Sequence, residues 1–288
     1  MSTQITTAFV QQFSANVSML SQQKGSLLRR AVREESVTGE KAFFDQVGSA
    51  AAAMKTSRHG DTPLMETPHS RRMLTMDHWE YADLIDDADK VAMLIDPTSS
   101  YANAAAYAIG RAMDDTILAA MDGSSSTGKA GATSTALPAG QKVGVGSPAT
   151  GLTVAKLIEA KKILDQNSVD PSIKRYITCH PEQIEDLLGT TSVTSSDFNT
   201  VKALVQGDVS TFMGFEFITS NRVLTNASSQ RRVIAWAEDG VTLGVGKDLM
   251  TQITERADKS YSTQVYVCAQ FGAVRMEEEK VVQITCAE

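Results

Sequence analysis

The residues that could do chemistry begin with a glycine-rich segment, Gly123-Ser-Ser-Ser-Thr-Gly-Lys129-Ala130. Its glycines and lysine have the spacing of a P-loop, in which backbone N–H groups at a helix N-terminus bind phosphates. The next position of that motif needs a hydroxyl for magnesium, and Ala130 has none. A P-loop also follows a buried strand, whereas the pattern before Gly123 is helical. A nucleotide-using enzyme remains the less favoured alternative, and we expect no catalytic or cofactor-binding residue.

Histidines and carboxylates are the next groups that could bind or react. His59, His69 and His78 lie nine or ten residues apart, which does not place ligands on one helix face as H-E-x-x-H does. His78-Trp-Glu80 resembles the start of a zinc-deaminase signature, but the cysteine pair that completes the signature is missing. An acidic cluster lacks the glycine and glutamate of an EF-hand loop; its members are Asp83, Asp86, Asp87 and Asp89. We therefore expect no metal site.

Composition excludes several other classes of protein. The chain has 288 residues, of which 42% are apolar and 21% charged, enough for one large domain or two lobes. Its net charge is -7 and it has no long basic run, which argues against a sequence-specific nucleic-acid reader. Three distant cysteines predict neither a disulfide framework nor a zinc site and favour a reducing cytoplasm. There is no secretory-type or membrane-spanning apolar segment, so we expect no membrane partner.

The elements that would position functional residues begin with a basic segment and a thin projection. The first 33 residues contain four basic and no acidic side chains, which predicts an arm or a solvated helix end. Apolar residues then cluster at both ends of Val37 to Tyr81, while Gly48 to Ser70 has too few to form a core. This pattern predicts a long extended hairpin that is mobile unless another subunit covers it.

A long helix and a mixed lobe follow. Asp96-Pro97 predicts the start of a helix of about 26 residues that ends at Asp122-Gly123. Its predicted apolar stripe is Ala102, Ala106, Ile109, Met113, Ile117 and Ala120. The glycine-rich stretch from Gly123 to Gly151 predicts a lobe boundary.

Beyond that boundary the patterns alternate between helix and strand. Thr153 can cap a helix whose predicted apolar face is Val154, Leu157, Ile158 and Leu164. A strand at 176–179 precedes a helix around Leu187, and a further short helix is predicted at Phe198, Val201, Leu204 and Val205. Strands are predicted at 215–219 and 233–236, and a period of two from Tyr261 onward predicts long closing antiparallel strands. These closing strands flank a charged turn, Arg275 to Lys280.

This order of parts resembles a Hong Kong 97-type capsid protein. The segment from Thr62 to Tyr101 carries the most specific likeness to major capsid proteins of tailed bacteriophages, through Thr-Pro-Leu-Met-Glu-Thr-Pro-His-Ser-Arg-Arg-Met, Asp-His-Trp-Glu-Tyr-Ala and Asp-Pro-Thr-Ser-Ser-Tyr. The resemblance implies an α+β capsid fold (HK97-like). Its parts would be an N-terminal arm (1–36), an E-loop hairpin (37–82), a P-domain with the spine helix (83–152), an A-domain (153–246) and return strands of the P-domain (247–288).

The resemblance also implies a function and partners. Copies of the chain would form hexamers and pentamers of an icosahedral virion shell around non-specifically packaged double-stranded DNA, assembled in the bacterial host cytoplasm. The resemblance implies a separate scaffolding protein and a portal and leaves a decoration protein open, and an encapsulin-like compartment is the structural alternative. No crosslink is predicted at Lys41 or Lys55. The expected intersubunit contact residues are Phe43, Phe44, His69, Arg71, Arg72, Trp79, Arg29 and Arg30.

Overall fold

The computed structural model describes residues 20–55, 57–59, 64–86, 98–189 and 211–288. In these residues it has three α-helices and three β-sheets. The predicted mixture of helix and sheet is therefore present, and two buried clusters form most of the core.

The longest helix, α1, spans Thr98–Asp122. Its length of 25 residues agrees with the predicted helix, and the residue after its last, Gly123, donates its N–H to Ala119 O at 2.8 Å. The proposed start at Asp96-Pro97 lies outside the described residues. The buried stripe differs from the prediction at the small residues, because Ala102, Ala106 and Ala120 are only partly buried. Its members are Ala105, Ile109, Met113, Ile117, Leu118 and Met121.

Helix α1 packs against a four-stranded sheet of order β1-β12-β13-β4. Strand β1 (Arg33–Ser36) lies parallel to the first residues of β12 (Val241–Arg256). Strand β13 (Ser262–Arg275) lies antiparallel to both β12 and β4 (Asp77–Ile85). The predicted closing strands are confirmed, although Tyr261 lies outside β13 and is 63% exposed.

A six-stranded sheet of order β7-β14-β11-β8-β10-β9 forms a second body. Its strands are β7 (Lys142–Val143), β14 (Val281–Cys286), β11 (Arg231–Ala237), β8 (Arg175–Cys179), β10 (Phe215–Thr219) and β9 (Thr211–Phe212). The strands predicted at 176–179, 215–219 and 233–236 are confirmed. These strands can be predicted from the sequence because continuous apolar runs are typical of strands buried on both faces.

Two helices, α2 (Val154–Gln166) and α3 (Pro181–Gly189), supply buried residues to the same cluster. Thr153 caps α2 as predicted, since its hydroxyl accepts the N–H of Lys156. Leu157 and Leu164 are fully buried, whereas Ile158, predicted for the same face, is 51% exposed. The helix predicted from Phe198 to Val205 lies outside the described residues.

The third sheet has the order β2-β3-β5-β6 and contains the predicted hairpin. Strands β2 (Lys41–Val47) and β3 (His69–Thr75) pair antiparallel, and β3 also pairs with β5 (Ser125–Thr127), which turns back into β6 (Thr133–Thr135). The glycine-rich Gly123–Lys129 segment is therefore a strand and the start of a tight turn. Gly131 has φ +70, and a Cβ there would meet the Met73 sulfur at 2.4 Å.

Two of the expected part boundaries fall inside continuous strands, and one of the expected return strands pairs in another sheet. Strand β4 runs through the expected limit after Ala82, and β12 runs through the limit after Gly246. Strand β14 pairs with β11 in the six-stranded sheet and not with the closing strands β12 and β13. The physical reason is that strand partners far apart in sequence are chosen by tertiary packing, which local periodicity does not report.

Candidate assembly surface

The hairpin formed by β2 and β3 has two unlike faces, because successive side chains of a strand point to opposite sides. In the register of this pair, Phe43 lies opposite Met73, Asp45 opposite Arg71 and Val47 opposite His69. We call these six side chains the outer face. The alternate positions form the inner face, where Ala42 lies opposite Leu74 and Phe44 opposite Arg72.

Four of the six side chains of the outer face are exposed and two, Arg71 and Met73, are partly exposed, and the face combines apolar and paired charged groups. Phe43 and Val47 are 44% and 67% exposed. Arg71 donates from Nη2 to Asp45 Oδ2 at 3.0 Å, and its guanidinium lies 5.5 Å from the centre of the Phe43 ring. The hydrogen bond from Arg71 lowers the pKa of Asp45 and raises that of Arg71, so the pair stays ionised at neutral pH. Such a surface can pack against another protein without leaving a charge unpaired.

The inner face fixes the hairpin to the rest of its own chain. Phe44 packs on a small buried cluster that includes Val37, Leu74 and Val274. Gln46 donates from its side-chain amide to Met276 O at 3.0 Å. The inner face thus rests on β13 and the residues after it.

A buried charged triad joins this face to the end of α1. Arg72 Nη2 lies 2.5 Å from Glu278 Oε2, and Arg275 Nε lies 3.6 Å from Glu278 Oε1. Arg275 is fully buried and donates from Nη1 to Met121 O and Gly123 O, both at 2.7 Å. These carbonyls end α1, where a helix has acceptors without intrahelical partners. Burial lowers the pKa of Arg275.

The hairpin tip is the least covered part of the described chain. Almost all described residues between β2 and β3 are exposed, and Met54 and Leu64 are 87% and 96% exposed. The chain closes below the tip through Gly48 N–H, which donates to Pro68 O at 2.8 Å. The described part of the chain therefore offers the tip almost no core of its own.

Trp79 lies apart from the hairpin. It is on β4, is 38% exposed, and stacks on the buried Phe271 ring with centroids 5.8 Å apart. Trp79 therefore belongs to the four-stranded sheet, and it presents one ring face to solvent on a different sheet from Phe43.

The described end of the basic arm lies on the body. Asp114, fully buried on α1, accepts the N–H groups of Leu27 and Leu28 at 3.1 Å and the hydroxyl of Ser26 at 2.5 Å. A Cβ on Gly110 would lie 2.6 Å from the backbone of Gly25, so this crossing requires glycine. The arm segment is thus held in the groove beside α1.

The two predicted arm arginines have different surroundings. Arg29 pairs with Glu34 at 2.7 Å and with Asp248 at 3.1 Å. Arg30 is more exposed and lies 3.8 Å from Glu216. Arg29 therefore fastens the arm to β12, and Arg30 remains the more accessible cation.

Arg72 was predicted among the intersubunit contact residues, and the structure places it on the inner face of the hairpin. Arg72 is 8% exposed, and its guanidinium forms an ion pair with Glu278 of the same chain. Sequence reasoning also missed Asp114, Glu278 and Arg275, the last two having been assigned to a charged turn. One signal could have found Asp114, namely a carboxylate inside the apolar stripe of an amphipathic helix.

One group of described side chains could hold a metal ion, namely His180, Glu182 and Glu288, whose ligand atoms lie within 4.8 Å of one another. Glu288 is already ion-paired with Arg231, and only His180 of the three is partly buried. The three cysteines are buried, and burial raises the pKa of Cys286 to about 11, so its thiol is unreactive at neutral pH. No described helix is long and apolar enough to cross a membrane.

The fold matches solved phage capsids over almost its full length. The capsid of the cyanophage P-SCSP1u is similar with a TM-score of 0.76 at 16% identity, covering 99% of this chain and 94% of that one. The capsid of Ralstonia phage GP4 matches with a TM-score of 0.75 at 11% identity, covering 97% and 96%. The capsid of cyanophage Pam1 matches with a TM-score of 0.72 at 13% identity, covering 98% and 97%. The chain therefore has the α+β fold of HK97-type capsid subunits, as predicted.

The sequence itself identifies the family. The family model described as phage capsid protein matches residues 5–288, so this chain belongs to the phage capsid protein family. Together with the fold, this makes the chain a major capsid protein, a structural subunit of the bacteriophage virion shell, and the encapsulin-like alternative is not favoured. No curated protein matches the chain.

Proposed function

We propose that this chain builds an icosahedral shell of hexamers and pentamers in which the hairpin of each subunit is completed by its neighbour. The observation that carries the proposal is the contrast between the two hairpin faces. The inner face is bonded to its own chain through Arg72 and Gln46. The outer face exposes Phe43 and Val47, and the tip exposes Met54 and Leu64.

The free energy of burying apolar surface favours a neighbouring copy as the molecule that covers the outer face and the tip. Burying apolar surface stabilises by about 25 cal/mol per Å², so side chains as exposed as these gain free energy only when another surface meets them. Contacts that close into rings place the same hairpin beside the same neighbouring surface at every position. Many modest contacts then add up to a durable shell.

We further propose which residues contact a neighbouring subunit and which parts of the capsid fold the chain forms. Phe43, His69, Arg71 and Trp79 would meet a neighbour, Arg30 would be a second contact on the arm, and Phe44, Arg72 and Arg29 would hold the elements in place. The expected parts, with α1 as the spine helix and residues 153–246 as the A-domain, remain proposals. The subunit would have no catalytic role.

The proposed partners beyond other copies are a scaffolding protein, a portal, a decoration protein and packaged double-stranded DNA, with assembly in the host cytoplasm. DNA contact would be non-specific, because the chain carries a net charge of -7 without a long basic run.

The test is to express the full chain with and without its neighbouring phage genes and to count particles by negative-stain microscopy. We expect hollow particles from the natural chain and none after deletion of residues 48–70. The soluble deletion variant should keep its unfolding midpoint, because the tip adds little to the core. Normal particles from the deletion variant, or a monomer under every condition from the natural chain, would overturn the proposal.

A further inference from the structure

Two glycines of the four-stranded sheet lie directly under the root of the hairpin. Gly244 on β12 and Gly272 on β13 lie opposite each other, and both are buried. We call this pair the glycine seat. Neither glycine has a positive φ, so their backbone conformation would accept other residues. Glycine serves here because of what lies above the pair and not because of a turn.

The residues that rest on the seat are Leu74 and Thr75, at the end of β3. A Cβ on Gly272 would lie 2.1 Å from Thr75 O, and a Cβ on Gly244 would lie 3.0 Å from Leu74 Cδ2. Non-bonded heavy atoms stay about 3.5 Å apart, so nothing larger than hydrogen fits above Gly272. The hairpin root thus lies on the backbone of β13 itself.

The body supports the hairpin at two levels. The seat is the lower level, and Arg72 is the upper one, where it pairs with Glu278 and where β3 also pairs with β5. Arg72 lies three residues from Thr75, which is about 10 Å along the strand. In the register of the hairpin, the exposed tip residue Ala52 lies eight residues beyond Arg72, or about 27 Å if extended. A movement at the seat is therefore amplified at the tip by a factor of about 3.

We propose that Gly244 and Gly272 are positioning residues for assembly, because they set the height of the hairpin root and so the direction in which the outer face meets a neighbouring copy. This inference rests on the proposed shell function. A methyl group at Gly272 must move Thr75 by about 1 Å. That movement turns the hairpin about the Arg72 pair, and ring contacts repeat the error in every subunit.

The direct test measures the direction of the hairpin in the soluble subunit. A spin label at Ala52→Cys on the tip is paired with one at Asn103→Cys on α1 or at Glu159→Cys on α2, all exposed positions. The native cysteines are buried and should stay unlabelled. By electron paramagnetic resonance, Gly272→Ala should shift at least one of the two distances by about 2 Å or more. The matched control is Gly140→Ala, where a Cβ meets nothing within 4 Å, and it should shift neither.

Gly244→Ala is the milder variant and decides the case if Gly272→Ala does not fold. Its methyl would meet only side-chain atoms, at 3.0 Å from Leu74 Cδ2 and from Val37 Cγ2. Adding Leu74→Val removes both Cδ atoms of Leu74 and should restore the distances. The same change should not restore Gly272→Ala, whose methyl meets the backbone. A role in stability alone would give no such selective restoration.

Particle counts by negative-stain microscopy, on chains without the added cysteines, connect the seat to assembly. Gly140→Ala should give normal particles, Gly244→Ala and Gly272→Ala few or none, and Leu74→Val should restore particles to Gly244→Ala only. Unchanged distances in a folded seat variant would overturn the seat and leave the shell proposal standing. Shifted distances with normal particles would overturn the link between hairpin direction and assembly. A natural chain without particles would overturn the shell proposal alone, since the distances are measured on the soluble subunit.

Discussion

The hairpin and the six-stranded sheet differ in how much of their side-chain surface is buried within the same chain. Every residue of β8 is buried, and so are Val233 to Ala237 of β11, where Trp236 is fully enclosed. The hairpin tip has almost no buried residue, and Leu64 is 96% exposed. The sheet thus carries its own stabilisation, whereas the described residues of the tip add almost nothing to a core. In our proposal, this difference separates the part that folds the subunit from the part that assembles it.

The largest loss of stability is expected where the buried charged triad joins the hairpin to the end of α1. Replacing Glu278 by Ala leaves Arg72 and Arg275 buried without their counter-ion, which should lower the free energy of unfolding by about 3–5 kcal/mol. Urea unfolding of the soluble chain measures this loss. The control is Glu279→Ala, since Glu279 is exposed and should change stability by less than about 0.5 kcal/mol. Equal effects from the two variants would refute the role of the triad.

A smaller loss is expected where the arm meets α1. Asp114→Ala removes the acceptor of two backbone N–H groups and should cost about 1–3 kcal/mol. Hydrogen exchange at Leu27 and Leu28 should accelerate together with that loss. Asp115→Ala is the matched control, because Asp115 is half-exposed and paired with Arg222 on the surface, a type of pair worth about 0–1 kcal/mol. Unchanged exchange in Asp114→Ala would contradict the anchoring role.

The smallest effect is a pH dependence of the arm. Hydrogen bonds from Arg29 lower the pKa of Glu34 below 4.5 and that of Asp248 below 3.8. Because both folded-state pKa values are depressed, their contribution is complete above the ordinary values and is lost as pH falls through the lowered ones. Natural chain and Arg29→Gln should differ by at most about 1 kcal/mol at pH 6, since the pairs are partly exposed.

Unfolding in urea at several pH values measures this dependence. The difference between natural chain and Arg29→Gln should shrink toward zero as the solution becomes more acidic than the ordinary carboxyl pKa. A difference that stays constant from pH 6 to pH 3 would show that Arg29 acts by packing and not by charge.

Local patterns predicted the elements whose physics is local. The strand Phe215–Thr219, the run at Val233 to Trp236 and the cap at Thr153 are all present. Each depends on neighbouring residues alone, either on a continuous apolar run or on one hydroxyl before a helix. The length of α1 was likewise predicted from local signals, namely its apolar stripe and the break at Asp122-Gly123.

Long-range pairing was not predictable in this way. The partner of β14 is β11, about 50 residues earlier in the chain, and nothing in the alternation of Val282 and Ile284 selects it. Arg72 was predicted at an intersubunit contact, and Arg275 and Glu278 were predicted only as members of a charged turn. Only the folded chain brings the three together.

The structure divides the predicted contact residues of the hairpin between its two faces. Phe43, His69 and Arg71 were chosen from the hairpin as a whole, and the structure assigns them to its outer face together. Phe44 and Arg72 were chosen with them but lie on the inner face, because a step of one residue in a strand changes the side.

The sharpest test of the account compares Phe43→Ser with Phe44→Ser. Phe44→Ser should lower the unfolding free energy of the soluble chain by about 2 kcal/mol or more, because this ring packs on the buried cluster at the hairpin base. Phe43→Ser should leave that free energy within about 0.5 kcal/mol but should abolish particles seen by negative-stain microscopy. Normal particles from a stable Phe43→Ser subunit would contradict the claim that the outer hairpin face assembles the shell.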